Sequence, residues 1–178
     1  MRTITKEYKV YRFSELSEEA KRQAIEDYNA DMPFHWSDEA MGSLKAGIKH
    51  FGCSLNDWSI DYLEPHRNRY TIDYSRYDKE EDLLEDIEGM GSYNPETLKG
   101  LGDCKFTGHY TDENFCDGVR KKYFDGERDI KELILAGIQE WETAVRIDAE
   151  YQYTEEFMND TSEINDWEYT EDGSFNND

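Results

Sequence analysis

Cys104, His109 and Cys116 lie within a span of 13 residues, and cysteine and histidine are the usual ligands of zinc in proteins. Their spacing, C-x4-H-x6-C, matches none of the ligand patterns of structural zinc sites. A fourth ligand, such as His66 or Cys53, has to come from elsewhere in the fold. We therefore expect buried structural cysteines, with no metal site and no cofactor.

Other catalytic patterns are also missing from the sequence. A nucleophilic serine or cysteine needs a base beside it, but no nucleophile elbow surrounds any of these residues. The glycine-rich segment 89–103 has no Lys and Ser/Thr at the positions that a P-loop requires. The acid-rich segment 160–172 has no glycine at the sixth position of a calcium loop. We predict that the protein is not an enzyme, with a Cys/His hydrolase or a zinc nuclease as the alternative.

Carboxylates are the most abundant chemical groups in the chain. It has 42 acidic and 20 basic residues among 178, and a formal net charge of −22. Such a field repels nucleic acid and anionic membranes and attracts basic protein surfaces. The expected partner is therefore a basic, nucleic-acid-binding host protein, with no direct binding of nucleic acid or membrane.

Two acid-rich segments are the predicted contact surface. One is a short helical pattern near residues 78–88, and the other lies near the C-terminus. The partner-binding residues predicted from them are Asp78, Glu80, Glu81, Asp82, Glu85, Asp86, Glu168, Glu171 and Asp172. The alternative interpretation is that these acids form a solvated surface that only keeps the protein soluble.

The aromatic content indicates a folded protein rather than a solvating acidic chain. The sequence has 13 Tyr, 8 Phe and 4 Trp, which favour an aromatic-rich core. Its three cysteines form no CxxC pair, and no apolar leader or membrane span is evident. These features predict a location in the cytosol.

The elements that position these side chains are predicted to form an α+β fold, with three to four helices packed on a small, mainly antiparallel sheet. Alternating side chains predict a first strand at 3–13. Two further runs, 59–64 and 70–77, flank the turn sequence PHRN and predict a hairpin.

Helical periods and capping residues predict the helices. The clearest three are predicted at 17–30, 37–51 and 129–150. Ser17, Ser37 and Asp129 are the predicted N-caps. Gly52 is placed to end the second helix.

The chain is predicted to form a single domain over residues 1–159. Residues 160–178 follow as an acidic segment that is either partly disordered or a closing β element. The dipeptide Asp172-Gly173 favours the β element because it is a hairpin-turn signal.

The two ends of the sequence carry a resemblance. The stretch YKVYRFSELSEEAKRQAIEDY at 8–28 resembles the start of a loose group of small phage and prophage proteins, and YTEDG at 169–173 is similar to a motif near their ends. The residues that match are Phe13, Glu15, Leu16, Ser17, Glu18, Glu19, Ala20, Lys21, Ala24, Ile25, Tyr169, Thr170, Glu171, Asp172 and Gly173. None of them is a catalytic residue that can be transferred.

The resemblance implies an origin in a mobile element. Some small acidic phage proteins of this kind are anti-CRISPR proteins that inhibit Cas nucleases. Together with the net charge of −22, it leads us to expect a non-enzymatic inhibitor of a CRISPR effector nuclease, of the Cas9 type, in the host bacterial cytosol. The acids would imitate the phosphates of DNA. The alternative is a phage structural or replication-accessory protein.

Overall fold

Helices dominate the computed structural model, which describes residues 9–31, 34–74 and 114–176. In chain order the elements are α1 (Glu18–Asp31), α2 (Ser37–His50), β1 (Ser54–Ser59), β2 (Arg69–Asp73), α3 (Cys116–Phe124), α4 (Ile130–Tyr151) and α5 (Glu155–Ile164), with short 3-10 turns at Phe13–Glu15 and Pro65–Arg67. β1 and β2 pair antiparallel. The predicted α+β class with an antiparallel sheet is confirmed.

Several predicted residues lie outside the described part of the chain. They are Asp78, Glu80, Glu81, Asp82, Glu85, Asp86, Cys104 and His109. Among the residues that are described, none of the helices is both long enough and apolar enough to cross a membrane.

The chain divides into two compact units. Unit 1 comprises residues 1–35 and 148–178, and unit 2 comprises residues 36–147. Each unit has its own cluster of buried apolar side chains. The boundary at residue 147 falls inside α4, so the last turn of that helix belongs to unit 1.

The core of unit 1 lies between α1, α5 and the segments that flank them. Its buried members are Phe13, Leu16, Ala20, Ala24, Ile25, Met158 and Tyr169. An early and a late segment of the chain meet here, because Tyr11 and Tyr169 exchange two backbone hydrogen bonds of 2.9 Å. Tyr169 also forms a bridge with Phe175. Ser17 caps α1 as predicted, since its Oγ accepts from the N–H of Ala20 at 3.2 Å.

Two buried polar pairs hold unit 1 together. The amide of Asn29 donates to the carbonyl of Ile25 at 2.8 Å, and its Oδ1 accepts from Nε2 of Gln152 at 2.9 Å. The hydroxyls of Ser162 and Tyr169 lie 2.6 Å apart. Because buried polar groups are costly without partners, these pairs fix the positions of the segments that carry them.

The core of unit 2 joins α2, α3, α4 and the hairpin. Its buried members are Ala40, Met41, Leu44, Ile48, Phe51, Cys53, Phe115, Cys116, Val119, Tyr123, Leu133, Ile134, Ile138, Trp141 and Val145. α3 and α4 approach closely at two glycines. A Cβ added at Gly118 would lie 2.5 Å from the carbonyl oxygen of Ala136, and one at Gly137 would lie 2.8 Å from that of Phe115.

Three of the capping predictions concern residues at the two ends of α2 and at the start of α4. Gly52 follows α2 at a φ of 72°, and its N–H donates to the carbonyl of Lys49, as expected for the end of a helix. Asp129 caps α4, because its Oδ1 accepts from the N–H of Lys131 at 2.8 Å. The prediction for Ser37 is wrong: it is the first residue of α2, whose N-cap position is occupied by the residue before it, with no side-chain cap.

The prediction of a strand at 59–64 is also wrong, because β1 ends at Ser59. The carboxylate of Asp61 accepts from the N–H groups of Leu63 and Glu64 at 3.1 and 3.0 Å. Such a local hydrogen-bond pattern turns the backbone and competes with strand pairing. The hairpin itself is present, but its first strand lies about five residues earlier than the alternation indicates.

The connection between the strands is held against α4. Oε1 of Glu142 accepts from Nδ2 of Asn68 at 2.7 Å and from the hydroxyl of Tyr70 at 2.8 Å. Burial, together with the charge of Glu142, raises the pKa of Tyr70. The tyrosine therefore stays protonated and keeps donating to the carboxylate.

At the N-terminal end, the described part of the predicted strand 3–13 supplies only the bridge at Tyr11. It is followed by the turn Phe13–Glu15, in which Glu15 accepts from the N–H of Arg12 at 2.8 Å. The helix α5, in contrast, has no counterpart among the predicted elements. Its N-cap is Thr154, whose Oγ1 accepts from the N–H of Phe157 at 3.2 Å.

Candidate protein-binding surface

The negative charge is shared by the two units and is denser in unit 1. Unit 1 has 18 acidic and 6 basic residues among 66, for a formal charge of −12, whereas unit 2 has 24 and 14 among 112, for −10. The segment 148–176 of unit 1 contributes ten acids and no Lys or Arg. A basic partner would therefore be attracted to both units, and the described acids of unit 1 offer it a defined surface.

A groove of about 460 Å³ runs along α1 in this unit. Its lining residues are Ser17, Glu19, Ala20, Gln23, Asp27, Glu171, Asp172 and Ser174. Four of the eight are acids, and no lysine or arginine is among them. The groove brings acids from α1 together with two acids from the turn near the C-terminus.

The turn is fixed against α1 by a glycine. Gly173 is buried at a φ of 91°, and a Cβ there would overlap the backbone carbonyl of Ala20. Oδ1 of Asp172 accepts from the hydroxyl of Thr170 at 2.7 Å and from the N–H of Ser174 at 3.1 Å. This network and the close approach at Gly173 hold the carboxylates of the turn beside the helix.

The same hydrogen bonds control the ionisation of Asp172. The hydroxyl of Thr170 and the N–H of Ser174 hold the pKa of this exposed carboxyl below its usual 3.8. Asp172 is therefore charged at neutral pH. Its Oδ1 is engaged within the turn.

The partner-binding residues that were predicted from the sequence fall into three groups in the structure. Glu171 and Asp172 are exposed and line the groove. Glu168 is half-buried and does not belong to the lining, although its carbonyl accepts from the N–H of Asn176 at 2.9 Å. The six acids at 78–86 lie outside the described residues.

Two groove residues, Glu19 and Asp27, were not among the predicted partner residues. With Gln23 between them, they follow an i, i+4, i+8 spacing, which places them on one face of α1. The spacing is visible in the sequence. Their proximity to the C-terminal turn is not, because it depends on the long-range pairing of Tyr11 with Tyr169.

An exposed aromatic side chain follows the acidic turn. Phe175 is 44% exposed, and its ring lies 5.2 Å from that of Trp167 and 6.0 Å from that of Tyr169. Such a supported ring is a suitable apolar anchor in an interface. The surface therefore combines charge attraction with one site for apolar contact.

Two of the three cysteines lie in the described part of the chain. Cys53 and Cys116 are both buried in the core of unit 2. Within the described residues, no group of three or more Cys, His, Asp or Glu side chains is placed to hold a metal ion. Burial and the nearby charge of Asp73 raise the pKa of the Cys53 thiol to about 11.

Cys53 is therefore expected to resist alkylation in the folded protein. With a pKa of about 11, roughly one thiol in a thousand is ionised at pH 8, and the thiolate is the reactive form. Treatment with iodoacetamide, followed by mass spectrometry of the peptide that contains Cys53, measures this reactivity. Equal labelling in buffer and in urea would contradict both the burial and the raised pKa, and would reopen a nucleophilic role.

No family model, no curated protein sequence and no solved structure matches this chain.

Proposed function

We propose that the protein is a non-enzymatic, phage-type inhibitor of a host defence nuclease. It binds a CRISPR effector, of the Cas9 type, on the basic surface that handles nucleic acid. The observation that supports this function is the formal charge of −12 on the described part of unit 1, displayed partly in a groove without lysine or arginine.

The proposed mechanism is competition for a basic channel. Lysine and arginine side chains that normally neutralise phosphates would instead pair with carboxylates such as Glu19, Asp27 and Glu171. Complementary charge accelerates the encounter and selects the partner. Phe175 would add the apolar contact that charge alone does not supply.

A binding experiment with salt as the variable tests the proposal. The protein is titrated into a purified Cas9-type effector at about 50 mM and about 500 mM NaCl, where the Debye length falls from about 14 to about 4 Å. We expect tight binding at low salt, a large loss of affinity at high salt, and inhibition of DNA cleavage in parallel. No binding at low salt, or equal affinity in both buffers, would refute electrostatic capture.

A further inference from the structure

A continuous row of aromatic side chains runs through unit 1. From Tyr151 it passes to Phe157, Tyr28, Trp167 and Phe175, with successive ring centroids 5.7, 5.7, 5.8 and 5.2 Å apart. Rings at such distances are in contact. The three middle rings pack against the core of unit 1 and are still partly exposed, and the two that end the row are 40% and 44% exposed. The aromatic row is therefore an extended strip of the surface with a fixed base.

Carboxylates accompany the aromatic row. Four of its five rings belong to the segment 148–176, which has ten acids and no Lys or Arg. At one end of the row, partial burial, followed by the charges of Glu156 and Asp160, raises the pKa of Tyr151, which places both carboxylates near its hydroxyl. At the other end, Phe175 directly follows the acidic turn that lines the groove. Ring surface and negative charge are therefore available side by side.

Two other described rings are covered by cations of the protein itself. Nζ of Lys45 lies 3.6 Å from the centre of the Trp58 ring, and the guanidinium of Arg128 lies 3.9 Å from that of Tyr123. Both pairs belong to unit 2. Among the described residues, no lysine or arginine lies over a ring of the aromatic row. A cation for these rings has to come from another molecule.

We infer that the aromatic row is a docking site for arginine side chains of a basic protein segment. A guanidinium group is planar and weakly hydrated, so that it stacks on a ring while its N–H groups donate to neighbouring carboxylates. An ammonium group is a compact, strongly hydrated charge and gains less from such a site. The site deepens the proposed function, on which it rests for the identity of the partner: the Cas9-type effector would contact it through an arginine-rich part of its basic surface.

Two peptides of equal length and charge, one of arginine and one of lysine, test the site without any nuclease. Each is titrated into the full chain by isothermal calorimetry at about 150 mM NaCl, where distant exposed charges are screened. We expect oligoarginine to bind roughly tenfold more tightly than oligolysine. The double variant Tyr151→Leu and Phe175→Leu keeps apolar side chains at both ends of the row but removes the π faces. It should reduce this preference to about twofold or less.

Two control variants separate the aromatic row from charge and from aromatic content. Phe124→Leu removes a ring of unit 2 that is 68% exposed, and it should leave the preference for arginine unchanged. Glu171→Gln removes a carboxylate of the groove and should weaken the binding of both peptides to a similar extent. Equal or absent binding of the two peptides, a preference that the double variant keeps, or an equal loss of preference in Phe124→Leu would overturn the inference. Selective binding of oligoarginine without binding of the Cas9-type effector would refute the proposed function and leave this site standing.

Discussion

Replacing Gly173 by alanine is expected to lower the free energy of unfolding by about 3 kcal/mol or more. Gly173 has a φ of 91°, and a Cβ there would overlap the carbonyl carbon and oxygen of Ala20 in α1. Both obstructing atoms are backbone atoms, so that relief requires the turn to move away from the helix. The acids Glu171 and Asp172 would move with it, and the groove would change shape.

Gly126→Ala is the matched control for this substitution. Gly126 also has a positive φ, 103°, but a Cβ there would meet nothing within 4 Å. It should therefore cost only the conformational penalty, about 1–2 kcal/mol. Urea denaturation followed by circular dichroism compares the two variants. Equal losses of stability would show that Gly173 does not approach α1 closely.

Local signals in the sequence were sufficient for much of the fold. Ser17 and Asp129 accept backbone hydrogen bonds at the helix starts where they were expected to, and Gly52 ends α2. These features depend on a few neighbouring residues, and for that reason they are readable from sequence. The α+β class follows from the same patterns.

The sequence predictions fail at two segments in which one local pattern conceals another. The run at 59–64 alternates as a strand should, but Asp61 bonds to the backbone ahead of it and ends the pairing. The helix α5 was missed because its segment is acid-rich, although Thr154 and the apolar pair Phe157 and Met158 were a usable helix signal. Charge density alone is a poor reason to expect an unstructured segment.

Two of the four acids that line the groove are predicted from the sequence, and the other two are not. The charge of the C-terminal segment predicts Glu171 and Asp172, and both line the groove. Glu19 and Asp27 lie more than 140 residues earlier in the chain. Their place in the same groove depends on the bridge between Tyr11 and Tyr169 and on the contact of Gly173 with α1. Without coordinates or aligned sequences, such long-range pairing has no local signature.

The second large effect is a loss of binding when the acids of the groove are neutralised. The fourfold variant Glu19→Gln, Asp27→Asn, Glu171→Gln and Asp172→Asn should weaken binding to the Cas9-type effector roughly 100-fold or more. Each amide keeps the size of the acid and an acceptor oxygen, so that the hydrogen bond from Thr170 to position 172 can persist. Binding and DNA cleavage assays at low salt measure the loss.

The control must remove the same charge from elsewhere. Amide substitutions at four exposed acids of unit 2 lower the net negative charge equally and leave the groove intact; these acids are Glu39, Asp57, Asp125 and Glu132. If capture depends on the groove, this control variant retains most of its affinity and inhibition. Equal weakening of both variants would indicate that total charge, rather than this surface, attracts the nuclease.

A third variant distinguishes the groove from the other predicted acidic surface. It carries amide substitutions at Glu80, Glu81, Asp82, Glu85 and Asp86, which are predicted to contact the partner. Loss of binding in this variant alone would move the contact to that segment and leave the inhibitor function standing. Full inhibition by both the groove variant and this one would show that neither acidic surface alone is the contact. If the unsubstituted protein neither binds nor inhibits the effector at low salt, the alternative is favoured, a phage structural or replication-accessory protein whose acids serve solubility.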